Sequence, residues 1–93
     1  MAVLVLFKWE GDPDEHLAAY DRELQHPVPC DQPRRISHTV ARGDDGIVIV
    51  DVWESAEDFY KMANDPVFQS PEAEGWQPQP QVLEMYEVYA TIP

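Results

Sequence analysis

The sequence predicts an α+β domain that has one four-stranded antiparallel sheet with two helices on the same face. Strand-like and helix-like segments follow one another in the order β-α-β-β-α-β, and a glycine-bounded turn at residues 43–46 joins the two middle strands. A chain of 93 residues has room for one such domain, residues 1–93, because chains divide into several domains only beyond roughly 250 residues.

The first strand and the first helix carry the clearest local signals. Residues 3–7 are a continuous apolar run of β-favouring residues, which is typical of a strand covered on both faces. Asp12, Pro13 and Glu15 supply an N-cap, a proline in the first turn and an acid at the capping-box position. The spacing of the apolar residues predicts a helix that runs to about Gln25.

The middle of the chain reads as a connector followed by a β-hairpin. Residues 26–33 contain three prolines, which remove backbone donors and predict an extended, stiff segment with neither helix nor strand. Residues 35–42 and 47–54 are rich in β-favouring residues, and the turn between them has glycines available for positive φ.

A second helix and a last strand complete the predicted sheet. Ser55 caps the second helix, which should end near residues 64–66, and residues 66–75 suggest one more short helix. Residues 77–81 form a polar, proline-spaced linker or lid. They lead into residues 82–92, an apolar-rich final strand.

This element order is the ferredoxin-like arrangement, in which two crossovers share a central hairpin. Both helices then cover one face of the sheet and leave the other face without cover. The first and third strands are apolar on both faces, and soluble monomers rarely expose a large apolar patch. We therefore expect a second copy of the chain to cover the open face in a twofold homodimer.

Composition excludes several classes of partner. Eighteen Asp and Glu against six Lys and Arg give a formal charge of −12, which repels nucleic acid and anionic membrane surfaces. The single Cys30 can form neither an internal disulfide nor a multi-thiolate metal site, which fits the reducing cytoplasm. His16 and His26 lie ten residues apart with no third ligand, so no metal site is predicted.

A ten-residue segment carries a family resemblance. Residues 50–59, VDVWESAEDF, resemble the strand-to-helix signature of the dimeric α+β barrel superfamily, particularly its antibiotic biosynthesis monooxygenase branch. The resemblance implies a homodimer whose sheets enclose a cavity in each subunit. It also implies an oxidoreductase that works without a cofactor on an aromatic or polyketide-like substrate.

The same resemblance places Trp53 on the wall of that cavity. Side chains alternate along a strand, so Asp51 and Ile49 share the face of Trp53, and a carboxylate would point into the barrel. A carboxylate in an apolar cavity is suited to general-base catalysis. The other interpretation is an Asp51 that is solvated at the barrel mouth or bonded to a neighbour.

The length of the hairpin turn decides whether His38 joins Asp51. A two-residue turn pairs Gly43 with Gly46 and places His38 directly opposite Asp51, which makes an oriented base. A three-residue turn with a bulge at Gly46 places His38 opposite Val52 and sends it to the helix face. The sequence leaves both alternatives open.

Aromatic residues can line a pocket for a flat, phenolic or polycyclic ligand. Phe7 and Tyr86 are candidate wall residues, although an ordinary core and a dimer interface have the same composition. Trp76 lies between a glycine and the proline-rich stretch, which is typical of a lid residue or a partner-facing anchor.

Two functions follow from these residues. The first is a cofactor-independent monooxygenase, or a cyclase or isomerase on the same fold, with Asp51 or His38 as the base. The second is a non-catalytic domain that binds a ligand or a partner protein. The best-described members of the branch have Asn four residues before the signature Trp, where this chain has Ile49, and that difference favours the second function.

Overall fold

The structure, a computed structural model, describes all 93 residues and has the predicted ferredoxin-like α+β fold. Four strands form one antiparallel sheet in the order β2-β3-β1-β4. The strands are β1 (Val3–Glu10), β2 (Arg35–Arg42), β3 (Gly46–Trp53) and β4 (Val82–Glu87). The helices are α1 (Pro13–Glu23), α2 (Pro27–Cys30) and α3 (Ala56–Ala63).

Helix α1 begins where the capping signals predict and ends two residues early. The Asp12 side chain accepts a hydrogen bond from the backbone N–H of Asp14, and Pro13 occupies the first turn. Helix α3 is capped in the same way by Ser55, which accepts from the N–H of Asp58. Each cap satisfies one of the backbone donors that a helix leaves free at its start.

Three segments differ from the sequence prediction. The proline-rich connector contains the short helix α2, because the His26 ring accepts from the Val28 N–H and caps it. The short helix predicted within residues 66–75 is two 3₁₀ turns, Pro66–Gln69 and Pro71–Ala73. Strand β4 ends at Glu87 rather than at residue 92, because Glu87 pairs with Val3 at the start of β1 and only the Val88 N–H finds a further partner, the Ala2 carbonyl.

The core lies on one face of the sheet only. Odd-numbered residues of β1 and β3 point toward the helices and are buried, with Val5 and Trp53 fully enclosed. Even-numbered residues such as Leu6 and Val50 lie on the opposite, open face and are only half-buried. The chain exposes 6287 Å², about 800 Å² more than a compact monomer of this mass exposes, and both the open face and the extended residues after β4 contribute to the total.

No helix of the chain combines the length and the apolar character that crossing a bilayer requires.

Candidate functional site

The turn between β2 and β3 contains two residues and sets the register of the site. The Gly43 N–H donates to the Gly46 carbonyl over 2.9 Å, which closes the turn around residues 44–45. Gly46 has a φ of +152°, and a Cβ there would lie 2.0 Å from the Trp9 carbonyl oxygen. Only glycine fits such a conformation and such a close approach of two backbones.

This register places His38 directly opposite Asp51. The His38 Nδ1 lies 2.5 Å from Oδ1 of Asp51, and the Asp51 side chain is buried. Because a carboxylate only accepts hydrogen bonds, the Nδ1 atom carries the proton and donates it. The second carboxylate oxygen, Oδ2, accepts from the Trp53 indole N–H at 3.3 Å. Both oxygens of Asp51 are therefore engaged within the chain.

Helix α1 supplies the partner of the other imidazole nitrogen. The Tyr20 hydroxyl donates to Nε2 of His38 over 2.8 Å, and the two rings are nearly parallel, with an interplanar angle of 12°. Burial is the main cause that raises the pKa of Tyr20, so the hydroxyl keeps its proton at neutral pH. The result is a continuous hydrogen-bonded series from Tyr20 through His38 to Asp51 and Trp53.

A cavity of about 180 Å³ opens beside this series, between the helix-covered face of the sheet and the elements that cover it. Its apolar wall comes from the sheet and from α3: Phe7, Trp9, Ile49, Phe59, Met62 and Leu83. The expectation that Asp51 points into a cavity enclosed by two sheets is therefore wrong. The cavity lies within one chain, because the buried face of the sheet is the one that the helices cover.

Glu23 is a cavity residue that the sequence analysis missed. It is the last residue of α1 and lies one helical turn after Tyr20, so the two side chains leave the helix on neighbouring sides. Burial raises its pKa to about 6, while the Gln77 backbone N–H and nearby His38 oppose the shift. The spacing of three from Tyr20 was the available signal, but a charged residue beside an apolar stripe usually faces solvent.

Arg35 brings a positive charge to the same cavity. Its guanidinium donates to the backbone carbonyls of Pro29 and Cys30, both at 3.0 Å, and lies 5.8 Å from the centre of the Trp53 ring. These contacts fix the α2 segment at the cavity edge. They also leave Arg35 as the only cationic side chain of permanent charge among the lining residues.

The segment of residues 77–80 closes one side of the cavity. The Trp9 indole N–H donates to the Pro78 carbonyl at 2.8 Å, and the Gln81 N–H donates to the Lys8 carbonyl at 2.9 Å. His16 lies between the Gln77 side-chain oxygen and the Glu10 carbonyl, and these two acceptors raise its pKa. The closing segment is thus attached to the end of β1.

The other sequence-predicted residues divide into two groups. Phe7 and Ile49 line the cavity, and Trp53 lies fully buried beneath Asp51 without lining it. Tyr86 does not reach the cavity, because it lies on the open face of the sheet, half-exposed, where its hydroxyl donates to Glu84 at 2.8 Å.

Trp76 is also outside the cavity. Its ring packs edge-on against His26 and Phe68, at centroid distances of 5.6 and 5.8 Å. The preceding Gly75 accepts a hydrogen bond from Arg22 of α1. Trp76 therefore joins residues 66–76 to the helix layer and does not act as a lid over the ligand space.

No group of three or more His, Cys, Asp or Glu side chains is arranged to hold a metal ion. The fold and the cavity define a small ferredoxin-like α+β domain with an apolar cavity beneath its helices and the His38–Asp51 pair on the wall of that cavity.

Solved structures match the chain over its full length, whereas no family model and no curated protein sequence matches it. A Chloroflexus aurantiacus protein assigned as an antibiotic biosynthesis monooxygenase has a TM-score of 0.73 at 18% identity, covering 100% of this chain and 98% of its own. SnoaB of Streptomyces nogalater, a cofactor-independent oxygenase, has a TM-score of 0.69 at 22% identity, covering 99% and 95%. A heme-degrading protein of Mycobacterium tuberculosis has a TM-score of 0.64 at 19% identity over the full length of both chains.

These neighbours confirm the resemblance to antibiotic biosynthesis monooxygenase-like proteins at the level of the fold. Sequence identities of 18 to 22% do not carry a substrate or a mechanism from those proteins to this chain.

Proposed function

We propose that this protein is a small-molecule enzyme of the cofactor-independent oxygenase type, which removes a proton from a phenolic aromatic substrate within the cavity. The observation that carries the proposal is the buried His38–Asp51 pair on the wall of an aromatic-lined space. The fold shared with SnoaB, a cofactor-independent oxygenase, agrees with it.

The proposed reaction balances with dioxygen as the only oxidant. The substrate loses a proton to the enzyme, and the resulting carbanion transfers one electron to O₂. The substrate radical and superoxide then combine to form a carbon–oxygen bond, and the peroxide anion takes back the proton that the enzyme holds. Loss of water from this hydroperoxide leaves a carbonyl at the ring carbon that carried a hydrogen. The imidazolium of His38 is stabilised on both sides, by the Asp51 carboxylate at Nδ1 and by the Tyr20 oxygen at Nε2.

The volume of the cavity and the charge of the protein limit which substrates can bind. A cavity of about 180 Å³ is smaller than the roughly 300 Å³ at which pockets for drug-sized ligands begin, which favours molecules of one or two rings. The formal charge of −12 repels anions at the surface. The neutral phenol is therefore the form that enters, and it loses its proton inside.

The residues of this chain do not fit haem, which one of the structural neighbours degrades. His38 is the only histidine on the cavity wall, and both of its ring nitrogens are hydrogen-bonded, to Asp51 and to Tyr20. No imidazole nitrogen is left to bind iron, and the cavity volume is that of a much smaller ligand.

Oxygen uptake tests the proposal directly. Purified protein is given hydroquinones, naphthols and anthrones between pH 5 and pH 9, and dissolved O₂ is recorded with an electrode. We expect uptake with one- or two-ring phenols, and anaerobic incubation should leave the substrate unchanged. If the folded protein consumes no O₂ with any of them, the oxygenase proposal is wrong; anaerobic turnover would indicate a cyclase or isomerase instead.

A second candidate function is a ligand-binding domain without catalysis. It is favoured by the state of the His38–Asp51 pair, in which every acceptor atom already has a partner inside the chain. Asp51→Asn separates the two functions. A catalyst loses turnover and keeps its ligand affinity, whereas a binding domain has no turnover to lose.

We also propose a homodimer in which a second copy covers the open face of the sheet. The half-buried Leu6 and Val50 on that face, and the excess exposed area of the single chain, support it.

A further inference from the structure

Three cavity groups can take a proton, and they differ in how many acceptor positions are free. Asp51 uses both oxygens, for His38 and for Trp53, and His38 uses its one lone pair for the Tyr20 hydroxyl. No side chain donates a hydrogen bond to Glu23, and the backbone of Gln77 is the one neighbouring donor that lowers its pKa. A carboxylate has about four acceptor positions, so Glu23 keeps the most of them open, whereas each oxygen of Asp51 already accepts an N–H.

The position of Glu23 on helix α1 places it one turn after Tyr20, the first residue of the hydrogen-bonded series. Tyr20 and Glu23 are three residues apart on α1, and the Tyr20 hydroxyl contacts Nε2 of His38. Glu23 and His38 both line the cavity and lie close enough for the charge of His38 to act on the carboxylate. Glu23 therefore shares the cavity with the imidazole and acts on the same enclosed space.

We propose that Glu23 is the catalytic residue that contacts the substrate hydroxyl and first accepts its proton, with His38 and Asp51 as the pair behind it. The inference rests on the proposed function and specifies the substrate class, a neutral aromatic molecule of one or two rings with an ionisable hydroxyl group. The O–H bond of the substrate breaks, a Glu23 O–H bond forms, and the electron pair stays on the substrate as phenolate.

The surroundings of Glu23 support this role. The other charged or titratable groups that line its cavity are His38 and Arg35 on β2 and Asp51 on β3, and Tyr20 lies one helical turn away on its own helix. Helix α3 contributes only uncharged residues to the lining, Phe59, Met62 and Ala63. The raised pKa of Glu23, caused mainly by burial, lies near neutrality, where a general base is most effective.

A coloured phenol tests the contact without any oxygenase activity. 4-Nitrophenol absorbs visible light only as the phenolate, so its absorbance during a pH titration of the bound probe reports its ionisation. In the wild-type protein the Glu23 carboxylate lies against the hydroxyl and disfavours a second negative charge. Glu23→Gln should lower the apparent pKa of the bound probe by one unit or more, whereas Asp21→Asn, an exposed acid of the same helix, should leave it unchanged.

Turnover supplies the second readout. If Glu23 is the first proton acceptor, Glu23→Gln lowers kcat at least 100-fold and removes the acidic limb of the pH profile, and Glu23→Asp restores part of the rate. Circular dichroism and thermal melting establish that each variant is folded. Equal probe pKa values in Glu23→Gln and Asp21→Asn would overturn the inference. A probe shift without O₂ uptake by the wild type would keep Glu23 as the contact group and reject the oxygenase proposal.

Discussion

The Nδ1 atom of His38 lies 2.5 Å from Oδ1 of Asp51, across two adjacent strands that a two-residue turn holds in register. The same Asp51 accepts a second N–H from Trp53. One buried carboxylate thus fixes the tautomer of the imidazole and the orientation of the indole.

Replacing Asp51 by Asn should damage this arrangement even though the side chains have the same size. Asp51 receives two N–H donors, whereas an amide accepts through one oxygen and must turn its own NH₂ toward the other donor. We expect turnover to fall roughly 10² to 10⁴-fold, by analogy with a wrongly held imidazole tautomer, and the free energy of unfolding to fall by about 1 to 3 kcal/mol. Ligand affinity should change less than threefold.

The matched control is Asp44→Asn in the exposed hairpin turn, which should behave as the wild type. Steady-state O₂ uptake and urea denaturation measure the two effects. Full activity in Asp51→Asn would show that the pair has only a structural role.

Tyr20→Phe removes the hydroxyl that donates to Nε2 of His38. In our proposal the hydroxyl stabilises the imidazolium and does not touch the substrate, so kcat should fall about tenfold and KM should stay constant. The loss of one partly buried hydrogen bond should cost about 1 kcal/mol of stability. A loss of more than 1000-fold would contradict this role and indicate that Tyr20 itself transfers the proton.

Glu23→Gln should stabilise the fold at neutral pH. Burial raises the pKa of Glu23 to about 6, so folding favours the protonated carboxyl. The stability that the protonated Glu23 carboxyl contributes is fully present below its pKa in the unfolded chain, about 4.5. It is lost as the pH rises through the folded-state pKa of about 6. At pH 7.5 the ionised carboxylate then costs about 1 to 2 kcal/mol.

Urea denaturation at pH 4.5 and at pH 7.5 measures this cost. At pH 7.5 the free energy of unfolding of the wild type should be lower than that of Glu23→Gln. At pH 4.5 the difference between the two proteins should be smaller. Parallel pH dependence of both proteins would mean that Glu23 is not buried in solution.

Gly46→Ala should be strongly destabilising. The added Cβ meets the Trp9 carbonyl oxygen at 2.0 Å in a conformation with φ of +152°, and we expect a loss of at least about 3 kcal/mol. Gly43→Ala is the matched control, because its Cβ lies 3.5 Å from the nearest atom, the Gly46 carbonyl oxygen. Thermal melting compares them, and equal losses would contradict the close approach of β1 to the turn.

A charge on the open face of the sheet should dissociate the proposed dimer. Val50 lies on that face between Leu6 and Thr39 of the neighbouring strands. Sedimentation at micromolar concentration should show a dimer for the wild type and a monomer for Val50→Asp. Ala18→Asp, on the exposed side of α1, should remain a dimer. A stable wild-type monomer would refute the homodimer.

The sequence is most informative where local chemistry decides the structure. Asp12 and Ser55 cap the two predicted helices, and the β-rich runs give four strands in the expected order. Side-chain alternation correctly places Ile49, Asp51 and Trp53 on one face. These features depend on contacts between residues that are close in the chain.

Three aspects of the site depend on contacts between distant residues. β1 and β3 are apolar on both faces, so periodicity does not tell which face of the sheet the helices cover. The sequence therefore predicts the cavity on the open face, whereas it lies on the helix-covered face. Tyr86 was placed in the cavity for its aromatic ring, but its register with Leu4 turns it to the open face. The place of Glu23 in the cavity cannot be read from local sequence, because residues 77–80, which line the cavity with it, lie more than fifty positions away.

In the turn at Asp44 and Asp45, the number of residues sets the register of the site, whereas the identity of those residues matters less. Neither side chain takes part in the site, and many pairs of residues can replace them. One additional residue would keep the four strands but would turn the side chains of β2 to the other face of the sheet and move His38 away from Asp51. Two chains can therefore share this fold closely and differ completely in acid–base chemistry. The length of this one turn is a simple way to recognise which similar chains have kept the pair.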